Sequence, residues 1–127
     1  MIFYGGNLAD NITVNGHGTV AYGLGGDDIM TTNGYNTEMR GGDGNDTLTM
    51  NTNTNRIYGD DGDDTINLNE ANSQIINGGN GNDTYNINAK VTNLSDTGGD
   101  NIYNVNANDI NISGGPGADT FYLSGNN

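Results

Sequence analysis

Seven acidic or amide side chains recur along this chain at nearly constant spacing, each closing a short glycine-rich segment. The clearest segments read GGDGNDTLT from Gly41, GDDGDDTIN from Gly59, GGNGNDTYN from Gly78 and GGPGADTFY from Gly114, and degenerate copies begin at Gly5, Tyr22 and Asp96. The sixth positions are Asp10, Asp27, Asp46, Asp64, Asp83, Asn101 and Asp119, separated by 17, 19, 18, 19, 18 and 18 residues. Carboxylates and inward-turned glycine carbonyls are the hard oxygen ligands that calcium takes, whereas magnesium demands strict octahedral geometry and retains water. The spacing therefore predicts a repeated calcium site within a repeat architecture.

The composition sets a second constraint, because it is too polar and too acidic for an ordinary hydrophobic core. Only 23 of the 127 residues are Leu, Ile, Val or Phe, and the net charge is −13. By composition alone such a chain is disordered. Bound divalent cations would supply both the cross-links and the neutralisation that its 16 carboxylates need. We expect a single domain over residues 1–127, with irregular coils over 1–40 and regular coils over 41–127.

The glycine-rich segments resemble the nonapeptide of the repeats-in-toxin (RTX) family, G-G-x-G-x-D-x-U-x, in which U is apolar and the repeat binds calcium. Four good copies and three degenerate ones, all in phase, cover nearly the whole chain. The resemblance implies an all-β fold, a right-handed parallel β-roll (a β-solenoid) of about seven coils of ~18 residues. It also implies a structural or secretion-linked module of a secreted bacterial protein, extracellular or at the cell surface, that folds on binding calcium. The sequence leaves open whether the host is a toxin, a hydrolase, an adhesin or a surface-layer protein.

Two short strands per coil must position these turns. Two and four residues after the sixth positions come two columns: Ile12, Ile29, Leu48, Ile66, Tyr85, Tyr103 and Phe121, then Val14, Thr31, Met50, Leu68, Ile87, Val105 and Leu123. Seven residues before the sixth positions lie Phe3, Val20, Met39, Ile57, Ile76, Leu94 and Ile112. This alternation predicts strands with one buried face, and the three columns predict a thin continuous core. Glycines interrupt every candidate window and no 3.6-residue period appears, so no helix is expected.

The RTX resemblance also implies where calcium binds. In RTX β-rolls the ion lies between successive turns on one side, held by carbonyls from positions two and four of one turn, carbonyls from positions one and three of the next, and the sixth-position side chains. We expect calcium in four or five of the six gaps, with weaker binding in the two gaps that share the neutral Asn101. The implied ligand residues are Gly23, Gly25, Asp27, Gly41, Gly42, Asp43, Gly44, Asp46, Gly59, Asp60, Asp61, Gly62, Asp64, Gly78, Gly79, Asn80, Gly81, Asp83, Asp96, Thr97, Gly98, Gly99, Asn101, Gly114, Pro116 and Asp119. Asp60 and Asp96 stand where the family has glycine, which puts the backbone geometry there in question.

The opposite side of each coil lacks the glycine-rich turn and is rich in asparagine. Five residues after the sixth positions lie Asn15, Thr32, Asn51, Asn69, Asn88, Asn106 and Ser124. Asparagine side chains in register bond to one another and to turn backbone, so we expect this column to be structural. The same side is the candidate surface for the alternative functions, which are an adhesin, a surface layer, or a carbohydrate- or ice-binding module. Ice binding favours a repeated Thr or Asn face, and the column of Thr13, Met30, Thr49, Asn67, Asn86, Asn104 and Tyr122 is too mixed to predict one.

Other function classes have little support. Three basic residues give no electrostatic footprint for nucleic acid or an anionic membrane, and no stretch approaches membrane-spanning length. The chain has no cysteine, and its single histidine, His17, has no evident nucleophile or orienting partner, so we expect no enzyme. Three carboxylates are interpreted as solvated surface charges: Asp28, Asp63 and Asp109. We interpret the chain as a piece of a longer protein whose partners are calcium, a glycan or cell surface, or further copies stacked coil end to coil end.

Overall fold

The computed structural model describes residues 1–70, 75–90, 94–108 and 110–124. Within these residues every regular element is a β-strand, as the sequence predicts. The described residues therefore contain no helix with the length and apolar character that crossing a membrane requires. The strands are β1 (Ile2–Tyr4), β2 (Asn11–Val14), β3 (Val20–Gly25), β4 (Ile29–Thr32), β5 (Glu38–Asp43), β6 (Thr47–Met50), β7 (Arg56–Asp61), β8 (Thr65–Leu68), β9 (Ile75–Asn80), β10 (Thr84–Ile87), β11 (Leu94–Ser95), β12 (Ile102–Val105), β13 (Ile112–Ser113) and β14 (Thr120–Leu123).

These strands form two parallel sheets, because alternate strands pair with each other. Sheet A has the order β1-β3-β5-β7-β9-β11-β13, and sheet B has the order β14-β12-β10-β8-β6-β4-β2. The strands pair in register from coil to coil, so that Leu48 lies beside Ile66 and Ile66 beside Tyr85. Consecutive strands belong to opposite sheets, so the chain winds as a solenoid with one strand of each sheet per coil. The predicted all-β parallel solenoid with coils of ~18 residues is therefore confirmed.

The core lies between the two sheets and follows the three predicted columns, except that their members in the end coils, Phe3, Phe121 and Leu123, are exposed because no further coil covers them. Sheet A contributes one column, to which Met39 and Ile57 belong, and sheet B contributes two, to which Leu48 and Met50 belong. These four side chains are fully buried. Near the C-terminal end the core contains Tyr85 and Tyr103, whose ring centroids are 4.8 Å apart, and the exposed Phe121 stacks on Tyr103 at 4.5 Å. In-register stacking of identical or similar side chains is the packing that parallel strands impose.

The second coil is where the predicted register is wrong, by one residue. Met30 pairs with Ile12 and is fully buried, whereas Ile29 is 51% exposed. Sheet A shows the same shift, because Ala21 and not Val20 occupies its core column. The corrected members of the other columns in this coil are Thr32 in the core, Asn33 in the asparagine column and Thr31 in the outward column between them. Strand pairing over residues 1–40 otherwise follows the pattern of the later coils.

The asparagine column forms a continuous ladder along one edge of the solenoid. The Nδ2 of Asn33 donates to Asn15, Asn51 to Asn33, and Asn69 to Asn51, each at 2.9 Å, and Asn88 donates to Asn69 at 3.2 Å. Each amide donates to one neighbour and accepts from the other, so the ladder satisfies itself. This confirms the structural role predicted for the column, and we name this side the asparagine edge.

Candidate metal centre

The glycine-rich turns all lie at the opposite edge, where each sheet A strand leads into the next sheet B strand. In the third coil β5 ends at Asp43 and β6 begins at Thr47. The turns of all coils stack on one another here, and we name this side the acidic edge. It comprises residues 5–10, 23–28, 41–46, 59–64, 78–83, 96–101 and 114–119. Every predicted calcium ligand lies in these segments.

Each sixth-position side chain is bonded to the backbone of the preceding coil. The Oδ1 of Asp28 accepts the N–H of Asp10, and the Oδ1 of Asp46 accepts the N–H of Asp28, both at 2.7 Å. The same bond recurs at 2.8 to 3.0 Å through Asp64, Asp83, Asn101 and Asp119, in steps of 18 residues and one step of 19. We name this column the inner ladder. Asp28 is its member in the second coil and is fully buried, so the placement of Asp27 in this column and the reading of Asp28 as a surface charge were both wrong.

Asp27 belongs to a second, outer ladder that sequence reasoning missed. Its Oδ1 accepts the N–H of Asn45 at 2.9 Å, and the pattern continues with Asn45 to Asp63, Asp63 to Asn82, Asn82 to Asp100 and Asp100 to Ala118. Asp63 is exposed, as predicted, but it serves this ladder, and Asp109 lies outside the described residues. The available signal was an Asp or Asn at the fifth position of five turns. Both ladders satisfy turn N–H groups that would otherwise lack partners.

The inner ladder leaves one oxygen of each buried aspartate unused. The Oδ2 atoms of Asp28, Asp46, Asp64 and Asp83 are buried and have no hydrogen-bond partner. An unpartnered buried acceptor is costly, and a charged one more so. Accordingly, burial raises the pKa of Asp46 to about 6 and the pKa values of Asp64 and Asp83 to about 7. Backbone hydrogen bonds lower these pKa values in part, and neighbouring carboxylates raise them further.

The unused oxygens face carbonyl oxygens of the following turn. A Cβ added at Gly41 would collide with the Oδ2 of Asp46 and would lie 2.7 Å from the carbonyl oxygen of Gly59. A Cβ at Gly59 would likewise collide with Asp64 Oδ2 and the carbonyl oxygen of Gly78. The Cα of each of these glycines therefore lies against both a carboxylate oxygen of its own turn and a carbonyl oxygen of the next turn, and no side chain larger than glycine fits there.

The other carbonyls of these turns point into the same gaps. The third-position carbonyl of Asp61 faces back and accepts the N–H of Gly44 at 2.9 Å. The fourth-position carbonyl of Gly44 faces forward onto Gly62, and the second-position carbonyl of Asp60 faces forward onto Gly79. The gaps between the second and fifth turns thus collect carbonyls from positions two and four of one turn and positions one and three of the next, whereas the first-position carbonyl of Asp96 faces forward onto Gly115 in the last gap. These are the directions that the RTX resemblance implies.

Two non-glycine residues keep the turn backbone that glycine has elsewhere. Asp60 has a φ of 77° and Leu24 a φ of 83°, in the left-handed region that Gly42 adopts at 112°. The replacement of glycine by Asp60 therefore leaves the turn conformation intact, at a cost of roughly 1 kcal/mol or more for a residue with a Cβ. The sequence could not show this outcome, because the paired strands on both sides impose the conformation.

The sixth turn differs from the others. The hydroxyl of Tyr85 donates to the carboxylate of Asp96 and accepts the N–H of Gly78 at 2.5 Å. Asp96 also accepts the N–H of Gly98 at 2.8 Å. The gap between the fifth and sixth turns therefore contains a phenol that occupies the space beside Asp83. Burial and the adjoining Asp96 hold the pKa of Tyr85 far above its ordinary value, so this hydroxyl stays protonated.

A metal at this edge would depend on backbone oxygens. Among the described residues, no group of three or more His, Cys, Asp or Glu side chains lies close enough to hold a metal ion. Calcium accepts carbonyl oxygens as readily as carboxylates, and the gaps from Asp28 to Asp83 offer both. The donor set therefore fits calcium and does not fit zinc, which takes side-chain nitrogen, sulfur and carboxylate ligands in preference to backbone carbonyls.

The single histidine lies away from the acidic edge and has a structural environment. His17 Nδ1 accepts the N–H of Tyr35 at 2.9 Å, and the two rings stack with their centroids 5.2 Å apart.

Comparison of the chain with protein-family models, curated proteins and solved structures finds no match.

Proposed function

We propose that this chain is a calcium-binding structural module of the RTX type, in which ions between successive turns of the acidic edge neutralise the inner ladder. One observation carries the proposal. The buried Oδ2 atoms of Asp28, Asp46 and Asp64 have no hydrogen-bond partner, and each lies, like a carbonyl oxygen of the next turn, against a turn glycine. A cation bound beside these oxygens, between successive turns, would relieve the repulsion among them and link adjacent coils. Binding to the folded state alone would couple folding to calcium.

Calcium-dependent folding suits a scaffold that is secreted before it folds. The thin core and the charge of −13 disfavour the compact chain where calcium is scarce. Where calcium is abundant, outside the cell, the same carboxylates become cross-links. We therefore propose a secreted or cell-surface host, with this module as its scaffold.

The ion count follows from the geometry of the gaps. The three gaps that begin at Asp28, Asp46 and Asp64 have an unpartnered carboxylate oxygen and no competing side chain. The gap after Asp83 contains the Tyr85 hydroxyl, and Asn101 supplies a neutral oxygen to the inner ladder. We expect the three earlier gaps to bind most tightly and the gaps around Asn101 to fill at higher calcium.

Calorimetric titration of the chelated protein, followed in parallel by far-ultraviolet circular dichroism, tests this proposal. We expect at least three calcium ions per chain, with the gain of β signal tracking the first binding events. Magnesium at the same concentration should produce neither, because it retains its water and resists irregular carbonyl sites. Absence of calcium heat with an unchanged β spectrum would overturn the proposal.

A further inference from the structure

The outward face of sheet B forms a regular array of uncharged side chains. Two of its columns lie on the strands, one and three residues after the inner ladder: Asn11, Ile29, Thr47, Thr65, Thr84, Ile102 and Thr120; and Thr13, Thr31, Thr49, Asn67, Asn86, Asn104 and Tyr122. The asparagine column, five residues after the inner ladder, borders them directly past the strand ends: Asn15, Asn33, Asn51, Asn69, Asn88, Asn106 and Ser124. None of these 21 positions is charged, although the chain has a net charge of −13. We name this surface the neutral face. With Thr31 in place of Met30, its middle column consists of threonine and asparagine up to Tyr122 at the last rung.

The side chains of the neutral face are held in place before any partner arrives. In the middle column Asn67 donates to Thr49 at 3.2 Å, Asn86 to Asn67 at 2.8 Å and Asn104 to Asn86 at 2.9 Å. The asparagine ladder runs parallel to this column. These side chains are already ordered in the free protein, so binding an extended surface would cost little further conformational entropy.

The columns and strands together define a lattice. In-register parallel strands repeat every ~4.8 Å, and residues two apart on a strand lie roughly 6.6 Å apart on the same face. Sheet B therefore presents hydroxyl, methyl and amide groups on a near-rectangular grid. Each ladder asparagine keeps one N–H and part of its carbonyl oxygen directed to solvent.

The chemistry of this face selects its partner. Without charge it offers no electrostatic complement to phosphates, acids or cations. Tyr122, at the last rung, is its one aromatic residue, so the central rungs have no aromatic ring to pack against a sugar. The partner that fits is uncharged, flat and periodic, and bonds through donors and acceptors alike. We propose that the neutral face binds ice, with its hydroxyl and amide grid taking the place of a layer of lattice water.

Partitioning of the calcium-loaded protein between a slowly growing ice hemisphere and the liquid tests this proposal. We expect the wild type to be enriched in the ice at least fivefold over an inert reference protein. The double variant Thr49→Lys and Thr65→Lys, at the centre of the grid, should fall to the reference level. Ile75→Lys adds the same kind of charge to the opposite sheet, where Ile75 is 38% exposed, and should partition like the wild type.

A second variant separates the face from the fold. Thr49→Val with Thr65→Val keeps the shape and the methyl groups and removes two hydroxyls, and it should lower the enrichment severalfold while circular dichroism in calcium stays unchanged. Exclusion of the folded wild type from ice overturns the proposal. So does equal partitioning of the lysine double variant and the wild type. Binding to insoluble cellulose or chitin that is lost in Tyr122→Ala, together with exclusion from ice, would replace ice with a glycan as the partner.

Discussion

The two edges of the solenoid stack polar side chains in the same way and with opposite electrostatic results. At the asparagine edge each amide both donates and accepts, so Asn51, Asn69 and their neighbours form a neutral ladder complete in itself. At the acidic edge each carboxylate only accepts, so one oxygen of Asp46 or Asp64 is used and the other is buried without a partner. The difference teaches that a ladder of aspartates is an unfinished structure, which a cation or a proton must complete.

Asn101 shows the two chemistries within one column. Its Oδ1 accepts the N–H of Asp83 at 2.8 Å, as an aspartate would. Its Nδ2 is buried without a partner, so the unsatisfied atom here is a donor. The inner ladder therefore tolerates an amide in place of a carboxylate without losing its backbone bond, which makes Asp-to-Asn variants clean tests of charge.

The largest predicted effect comes from removing calcium, because the acidic edge, unlike the asparagine edge, needs a cation to complete it. Dialysis against EDTA at pH 7.5 should abolish most of the β signal, and added calcium should restore it. At a thousandfold excess over its dissociation constant, each ion bound only to the folded state stabilises it by about 4 kcal/mol. Full retention of the β spectrum after exhaustive chelation, checked by metal analysis, would falsify the view that the inner ladder needs a cation.

Asp64→Asn should change stability in opposite directions with and without calcium. In the presence of calcium, the variant should bind calcium more weakly in the adjoining gaps and should unfold at a lower urea concentration than the wild type. In EDTA it should be more stable to urea than the wild type, by about 1 kcal/mol, because it removes a buried charge that has no partner.

Asp63→Asn is the matched control for that variant. It removes the same charge one residue away, at an exposed position of the outer ladder where Asn45 and Asn82 already occur in other coils. Its urea midpoints should stay within about 0.5 kcal/mol of the wild type in both conditions. If Asp63→Asn and Asp64→Asn behave alike, net charge and not the buried ladder governs stability.

The pH dependence should also reverse with calcium. In the metal-free fold the pKa of Asp46 is raised to about 6 and those of Asp64 and Asp83 to about 7, above the ordinary value of 3.8. The folded state then holds more protons than the unfolded chain, so the stability that these groups contribute is greatest below pH 4 and is lost as pH rises through 7.

Chelated protein should regain β signal on going from pH 8 to pH 5. Calcium-loaded protein should instead weaken on acidification, because protons compete for the ligands. Urea midpoints at both pH values, with and without calcium, measure this, and a midpoint in EDTA that rises with pH would contradict it.

The smallest effect should come from placing a carboxylate in the other ladder. Asn69→Asp removes the bond that Asn69 donates to Asn51, at a cost of about 0.5–1.5 kcal/mol. Asn69 is exposed, so water solvates the new charge and calcium should not change the cost. The loss of stability is measured by urea unfolding with and without calcium. A loss that depends on calcium would mean that the asparagine edge also responds to the ion, contrary to the difference between the two edges.

The repeat period and the side-chain alternation were enough to predict the two sheets and the three core columns. They failed at the second coil because Asp27 and Asp28 are adjacent, as are the apolar Ile29 and Met30, so alternation alone fits two registers. The deciding signal was Gly26, which takes the fourth position of its turn when Asp28 takes the sixth, as in the regular copies. Register is set by the fit of whole coils and is weakly encoded at such doublets.

The unused oxygens could not be predicted, because they depend on which carboxylate oxygen the preceding backbone takes. The Tyr85 hydroxyl posed a similar problem. Tyr85 was correctly placed in the core column, but its reach to Gly78 and Asp96 depends on the width of the coil. Sequence identifies the residues of a turn, whereas the contacts made by their terminal atoms come from the stacking of one turn on another.

One coil is a residue longer than the others, and the position of that residue matters for engineering. Asp64 and Asp83 are 19 residues apart, while the other inner-ladder steps are 18. The extra residue falls between Leu68 and Ile76 in the sequence, and the pairing of β8 with β10 and of β7 with β9 is unaffected. We expect that foreign peptides can be grafted into this connection, because added length there leaves the turns of the acidic edge in place.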